Sequence, residues 1–154
     1  MAPIKRHKAL IPTSRDHHHG LLLCWKIREG LKKGISVQRI KKYTDFFFET
    51  QLKPHFAFEE AELFSLLEKD HPMIQRAMED HEILTQLFQE KKDIESALRK
   101  IEQQLQEHIR FEERVLFNEI QVVIDEEKLN KIEKIESEII TPNPDDWDDK
   151  FWER

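Results

Sequence analysis

Two ten-residue segments share one frame: HFAFEEAELF from His55 to Phe64, and HIRFEERVLF from His108 to Phe117, 53 residues further on. In each copy a His and a Glu stand four residues apart, His55 with Glu59 and His108 with Glu112. On a helix that spacing stacks imidazole and carboxylate on one face. Apolar residues flank the face, Phe56, Leu63 and Phe64 in one copy and Ile109, Leu116 and Phe117 in the other. Turned inward, such a face buries its acids, and a buried carboxylate without a counter-charge is costly to desolvate. No Lys or Arg is correspondingly placed in both copies. A metal ion would satisfy all four groups together; the competing reading is a solvated charged stripe on two similar helices. The offset is about the length of a helix hairpin, which predicts one helix of a pair used twice and a two-fold pseudo-symmetry.

The rest of the chain fits that frame. With 154 residues, three Gly, six Pro and 36% charged residues, it has the composition of long helices in one domain. After a basic lead-in, residues 1–12, Thr13 and Ser14 offer N-caps for a helix through Leu21, Leu22, Cys24, Trp25, Ile27 and Leu31 to Gly34. Ser36 caps a second helix running to Leu67 and ended by Asp70-His71-Pro72; Pro54 inside it predicts a kink. A third apolar series runs from Ile74 to Phe88, and a fourth from Ile94 to Ile124 beyond the weak point Lys91-Lys92-Asp93. A short helix over 125–140 and an aromatic, acidic tail over 141–154 follow, the tail's Trp147, Phe151 and Trp152 suggesting that it docks. The expected fold is all-α: an up-down-up-down four-helix bundle over 13–140, with the short C-terminal helix included and the tail outside it.

Each of the other two helices carries at least one imidazole. The third has Glu79-Asp80-His81, with Leu84 and Phe88 three and seven residues after the His; the first has Asp16-His17-His18, with Leu21 and Trp25 three and seven after His18. Matching those apolar positions selects His18, helical-wheel averaging selects His17, and the choice between them stays open with a lean to His18. Four His and two Glu, without thiolate, make a nitrogen and oxygen donor set that suits iron, with zinc or manganese as alternatives. His7 and His71 read as loop residues, and Trp25, Phe58, Phe88 and Phe111 as core.

These residues resemble the hemerythrin-like, or HHE cation-binding, family. The resemblance rests on His55-Phe56-Ala57-Phe58-Glu59-Glu60 and on His108 followed by Glu112-Glu113 and Leu116-Phe117, and runs from about Ser14 to about Ile124. It implies a bundle holding two non-haem iron ions bridged by two carboxylates and an oxo or hydroxo group. The implied metal ligands are His17 or His18, His55, Glu59, His81, His108 and Glu112, and the implied partners are dioxygen, nitric oxide or iron itself. Two departures stand out. Oxygen carriers of the family place a second His four residues from the one on the third helix, where this chain has Ala77 before and Thr85 after His81. They also place the last carboxylate five residues after its His, at Glu113, whereas the internal repeat selects Glu112. An open coordination position suits a sensor or a redox enzyme of the peroxidase, nitric oxide reductase or ferroxidase type, and a metal-free helical adaptor is the structural alternative.

Charge and cysteine content narrow the remaining classes. A formal net charge of −6, with basic and acidic residues mixed throughout, argues against a nucleic-acid partner. No segment is long and apolar enough for a membrane span, Met1-Ala-Pro-Ile-Lys has no signal-peptide character, and Cys24 is alone. The expected compartment is the cytoplasm.

Overall fold

The computed structural model describes residues 5–153, and among them every regular element is helical. Helix α1 spans Ile11–Lys32, α2 Val37–Phe47, α3 Lys53–Phe58, α4 Pro72–Phe88, α5 Ile94–Phe111, α6 Phe117–Val123 and α7 Glu126–Ser137. Met1 to Ile4 of the basic lead-in and Arg154 of the tail lie outside the described residues.

Capping chemistry places most helix starts. Ser36 accepts from Arg39 N–H ahead of α2, Asp93 from Ser96 N–H ahead of α5 and Asp125 from Lys128 N–H ahead of α7, each satisfying a backbone donor that the first turn leaves free. His71 caps α4 through Met73 N–H, with Pro72 as first residue. His7 caps the short 3-10 turn Lys8–Leu10. Both lie in loop positions, as the sequence suggests, and serve there as caps. The start of α1 corrects the sequence reading: Thr13 and Ser14 do not cap it, because Pro12 occupies its first turn and the helix begins at Ile11. Their hydroxyls reach sideways instead, Thr13 to Glu136 and Ser14 to Glu113.

Three five-residue π segments interrupt the helices. One, Phe48–Leu52, joins α2 to α3 immediately before Pro54, with Lys53 N–H bonded to Phe48 O. The missing donor of Pro54 is thus accommodated by a wider turn. The other two are Glu59–Leu63 and Glu112–Leu116. They begin at the same residue of the repeated frame, so the repetition is one of backbone as well as of sequence. Such widened turns are frequent at functional sites.

The core is divided in two. Leu23, Phe56, Leu84 and Leu105 belong to one apolar cluster, and Leu10, Phe58, Ala77 and Phe111 to the other. On α1, α3, α4 and α5 a buried His stands between residues of the two clusters, so a polar layer crosses the middle of the molecule. Along the chain the 3-10 turn and α1 together pass from the second cluster to the first, α2 and α3 from the first to the second, and α4 and α5 repeat that alternation. Helix α5 packs against α1, α2 and α4, while α7 packs on the N-terminal 3-10 turn. No helix of the described residues is long and apolar enough to cross a membrane.

Candidate metal centre

The polar layer consists of His17, His55, Glu59, His81, His108 and Glu112, all buried. They form two overlapping groups, His17, His55, Glu59 and Glu112 in one, and Glu59, His81, His108 and Glu112 in the other. Within each group one donor atom per residue lies within 4.8 Å of all the others. Each carboxylate therefore serves both groups. Every imidazole presents Nε2 to this pair: His17 at 2.8 Å and His108 at 3.4 Å from Glu112 Oε1, His81 at 3.2 Å and His55 at 3.3 Å from Glu59 Oε1.

Behind each imidazole stands a second carboxylate on Nδ1. Asp16 of α1 accepts from His55 at 3.0 Å, Glu60 from His81 at 2.7 Å, Asp80 of α4 from His108 at 3.0 Å, and Glu113 from His17 at 2.7 Å. The ring is closed: each helical stretch holds the imidazole of the next one along the chain, and the last holds that of the first. Such bonds fix ring orientation and leave Nε2 free to bind a cation. Replacing Asp16 or Asp80 by Asn is expected to weaken metal binding by about 10- to 100-fold without removing any inward ligand, which a competitive chelator titration would measure.

Apart from His17 Nε2 and Glu112 Oε1, which bond to each other at 2.8 Å, the inner atoms lack hydrogen bonds of their own. His55 Nε2, His81 Nε2, His108 Nε2, both oxygens of Glu59 and Glu112 Oε2 are buried without a partner. Orphaned polar atoms at this density are costly, since each unmade bond forfeits about 1–3 kcal/mol. Cations placed among them would satisfy nitrogen and oxygen donors together, so the residues present fit a metal pair.

Electrostatics agree. Burial alone would lower each imidazole's pKa, and the carboxylates overcome it: Glu112 and Glu113 hold His17 above its ordinary 6.5, Glu59 and Glu60 do so for His81, and Glu59 and Asp16 raise His55 well above it. His108 is raised to about 10 against burial by Glu112 and Asp80. Burial would raise Glu112, but His108 and His17 hold it well below the ordinary carboxyl range. The linkage has two signs. Stabilisation from the raised imidazoles is complete below 6.5 and lost as pH rises through their folded values, for His108 about 10, whereas that from Glu112 is present above 4.5 and lost in acid. Metal must displace the imidazole protons, so its affinity should rise with pH by up to about tenfold per unit for each proton displaced. Titrations over the range from about pH 6 to about pH 8, with calorimetry in two buffers to count released protons, check this.

His17, His55, Glu59, His81, His108 and Glu112 are thus brought together, and His18 is not. His18 is exposed, and the apolar residues that selected it, Leu21 and Trp25, are 44% and 40% exposed, so Trp25 is not core. The inward face of α1 carries Gly20 and Cys24 instead, both buried. A Cβ on Gly20 would come within 2.9 Å of Ile109 Cδ1, so α1 lies close against α5 at this level, one turn beyond His17, while Leu23 and Ile27 further along are fully buried. The Asp-His dipeptides Asp16-His17 and Asp80-His81 are the better alignment signal, and they carry the outer carboxylates Asp16 and Asp80 as well. Glu113 and Glu60 take the outer positions; Glu112 and Glu59 take the inner ones.

Aromatic rings wall the layer. Phe56 stacks on His81 with ring centroids 3.8 Å apart, Phe64 lies 5.2 Å from the same ring, and Phe117 stacks on His17 at 5.4 Å. Phe58 and Phe111 are buried beside it, while Phe88 packs on Phe48 in the other cluster. Cys24 has its thiol pushed up to about 12 by burial and the neighbouring Glu102, which leaves it inert as a nucleophile.

An all-helical protein with a buried layer of four imidazoles and two shared carboxylates has the donor set of a helical cation-binding protein that carries its site in the core. Residues 11–120 match the family description "Hemerythrin HHE cation binding domain", and the chain belongs to that family. No curated protein and no solved structure matches the chain.

Proposed function

We propose that this protein is an up-down four-helix bundle that holds two non-haem iron ions in the polar layer and binds or senses a small diatomic ligand, dioxygen or nitric oxide, or the redox state itself. The observation that carries this is the set of orphaned inner atoms on His55, His81, His108, Glu59 and Glu112, backed by a closed ring of outer carboxylates. His17 and His55 would hold one ion, His81 and His108 the other, and Glu59 and Glu112 would serve both. Iron in that setting supplies electrons or an open coordination position to a small oxidant.

The chain's own residues do the rest. Outer carboxylates keep each Nδ1 proton in place and each Nε2 aimed inward, which spares reorganisation when ligand arrives. Phe56, Phe64 and Phe117 exclude water from the layer. Near His17, His55 and His108 lies a small cavity with about 10 Å³ of space for the centre of a water-sized molecule, walled also by Gly20, Phe47, Leu52, Phe56, Leu105 and Ile109. That is room for about one water-sized molecule on a largely apolar wall beside three of the imidazoles. The α4 stretch offers a single imidazole, because buried Ala77 and Thr85 flank His81 at four residues either way, so each half has two imidazoles and the shared carboxylates. A centre of that composition favours reactivity or sensing over reversible oxygen carriage.

Anaerobic metal analysis followed by exposure to oxygen tests the reading. About two iron atoms per chain and an oxo-to-iron charge-transfer band after oxidation are expected. Protein that stays metal-free after reconstitution with ferrous iron overturns it. Turnover with an added reductant and peroxide or nitric oxide would move the protein from sensor to oxidoreductase.

A further inference from the structure

The side of the centre between α1 and the α2–α3 stretch is covered by chain beyond the family-matched residues. Leaving α7, Glu136, Ile139 and Thr141 form the outer wall of a small cavity whose inner wall is Asp16, Gln51, Pro54, His55 and Phe58. Gln51 also borders the Gly20 cavity, together with Asp16 and His19, and its amide donates to Pro142 O. The stretch of chain from 138 to 142 therefore lies over the cavity that reaches His55 between Asp16 and Pro54, and it is tied through Gln51 to the wall of the Gly20 cavity.

Beyond Pro142 the segment is latched along α1 and α2. Tyr43 donates to Pro144 O at 3.1 Å, and Trp147 stacks on Phe46 at 4.8 Å. Buried Lys26 donates to Tyr43 Oη at 3.0 Å and sits 4.1 Å from the Trp152 ring, while Arg39 holds Asp149 through two bonds of 2.9 and 2.6 Å. A Cβ on Gly30 would lie 2.8 Å from Phe151, so the helix surface is cut to receive the tail. On the opposite side, an open groove between α4 and the Phe64–Leu66 turn meets the centre only at His81 and Glu60. There the His81 ring lies against Phe56 and Phe64, and its Nδ1 is bonded to Glu60.

We propose that residues 138–153 are a strap that gates small-molecule access to the metal centre from the α1 and α2 side. The proposal rests on the metal-centre reading for its purpose, and on Gln51, Thr141, Pro142 and the latch for its geometry. Access through the strap is proportional to the fraction of molecules in which the latch is open. The latch combines aromatic packing with an exposed ion pair, Arg39 with Asp149, which salt screens.

The test uses the full chain with Arg39→Glu, Trp152→Ala and the two combined. In metal-free protein, acylation of His55 and His17 by diethyl pyrocarbonate is mapped by mass spectrometry against exposed His18 as internal standard. Hydrogen exchange of the tail amides reports strap release, and that of the α5 amides reports integrity of the core. In the double variant, labelling of His55 should rise by about tenfold with α5 still protected, and iron removal by a small chelator should quicken in parallel. Adding Asp149→Arg to Arg39→Glu should restore slow labelling. Released tail amides with His55 labelling at the wild-type rate overturn the gate, as does a tail still protected in the double variant, because the latch assigned here is then not what holds it. Since labelling is read without metal, a chain that binds no iron yet shows gating removes the metal reading alone.

Discussion

Glu59→Gln should empty both halves of the metal centre at once, whereas His81→Ala should empty only one. The reason is the sharing of donors: Glu59 and Glu112 belong to both four-residue groups, and each imidazole to only one. An amide keeps the shape of the carboxylate but not its charge, and it cannot serve two cations as an anionic bridge. Wild-type protein should bind about two iron atoms per chain, Glu59→Gln or Glu112→Gln close to none, and His81→Ala about one. Metal analysis after anaerobic reconstitution measures this directly. A metal-free adaptor would show no difference among the four proteins. Thermal unfolding with and without ferrous iron supplies an independent readout, because a cation that binds only the folded state stabilises it by mass action. That stabilisation should be large in the wild type and absent in the Gln variants.

Gly20→Leu should leave iron in place and shut the small-ligand cavity. Gly20 follows His17 by three residues, and Leu84 follows His81 by three, so the two halves of the centre differ in bulk at this matched position. The leucine side is filled; the glycine side borders the cavity shared with His17, His55 and His108. Even the Cβ of alanine would press on Ile109 Cδ1, at 2.9 Å from its unrelaxed position, and a leucine would occupy the space itself. Azide affinity of the oxidised protein, read from its charge-transfer band, is expected to fall by at least about tenfold, with a stability cost of about 1–3 kcal/mol from overpacking. Gly20→Ala separates the two effects, since methyl-sized filling costs less strain and helix propensity returns about 1 kcal/mol. Unchanged azide binding in both variants would place the ligand elsewhere.

Much of this architecture is legible in the chain because it is local. Helix starts at Ser36 and Asp125 follow from side-chain caps within three residues, and the two inward Glu–His pairs follow from a spacing of four. The α1 register was not legible by the same means. Apolar residues lie on both sides of α1, Leu23 and Ile27 buried but Leu21 and Trp25 facing solvent, and at the level of the centre the buried position is the small Gly20, so bulk does not mark the face there. The start of α1 misleads for a related reason: Thr13 and Ser14 have capping chemistry, but their hydroxyls are used by Glu136 and Glu113 from distant parts of the chain.

The repeated His-x-x-x-Glu frame by itself determined that acids and imidazoles share one face on each of two matched helices, with apolar flanks that favour turning that face inward. Tertiary structure alone decided which histidine of α1 joins them, which of each Glu-Glu pair faces inward, and how Asp16, Glu60, Asp80 and Glu113 close a ring around the layer. It also laid the C-terminal segment across the seam beside His55. The physical reason is that a helical period specifies a face, but only the packing of neighbouring helices specifies which atoms meet across it.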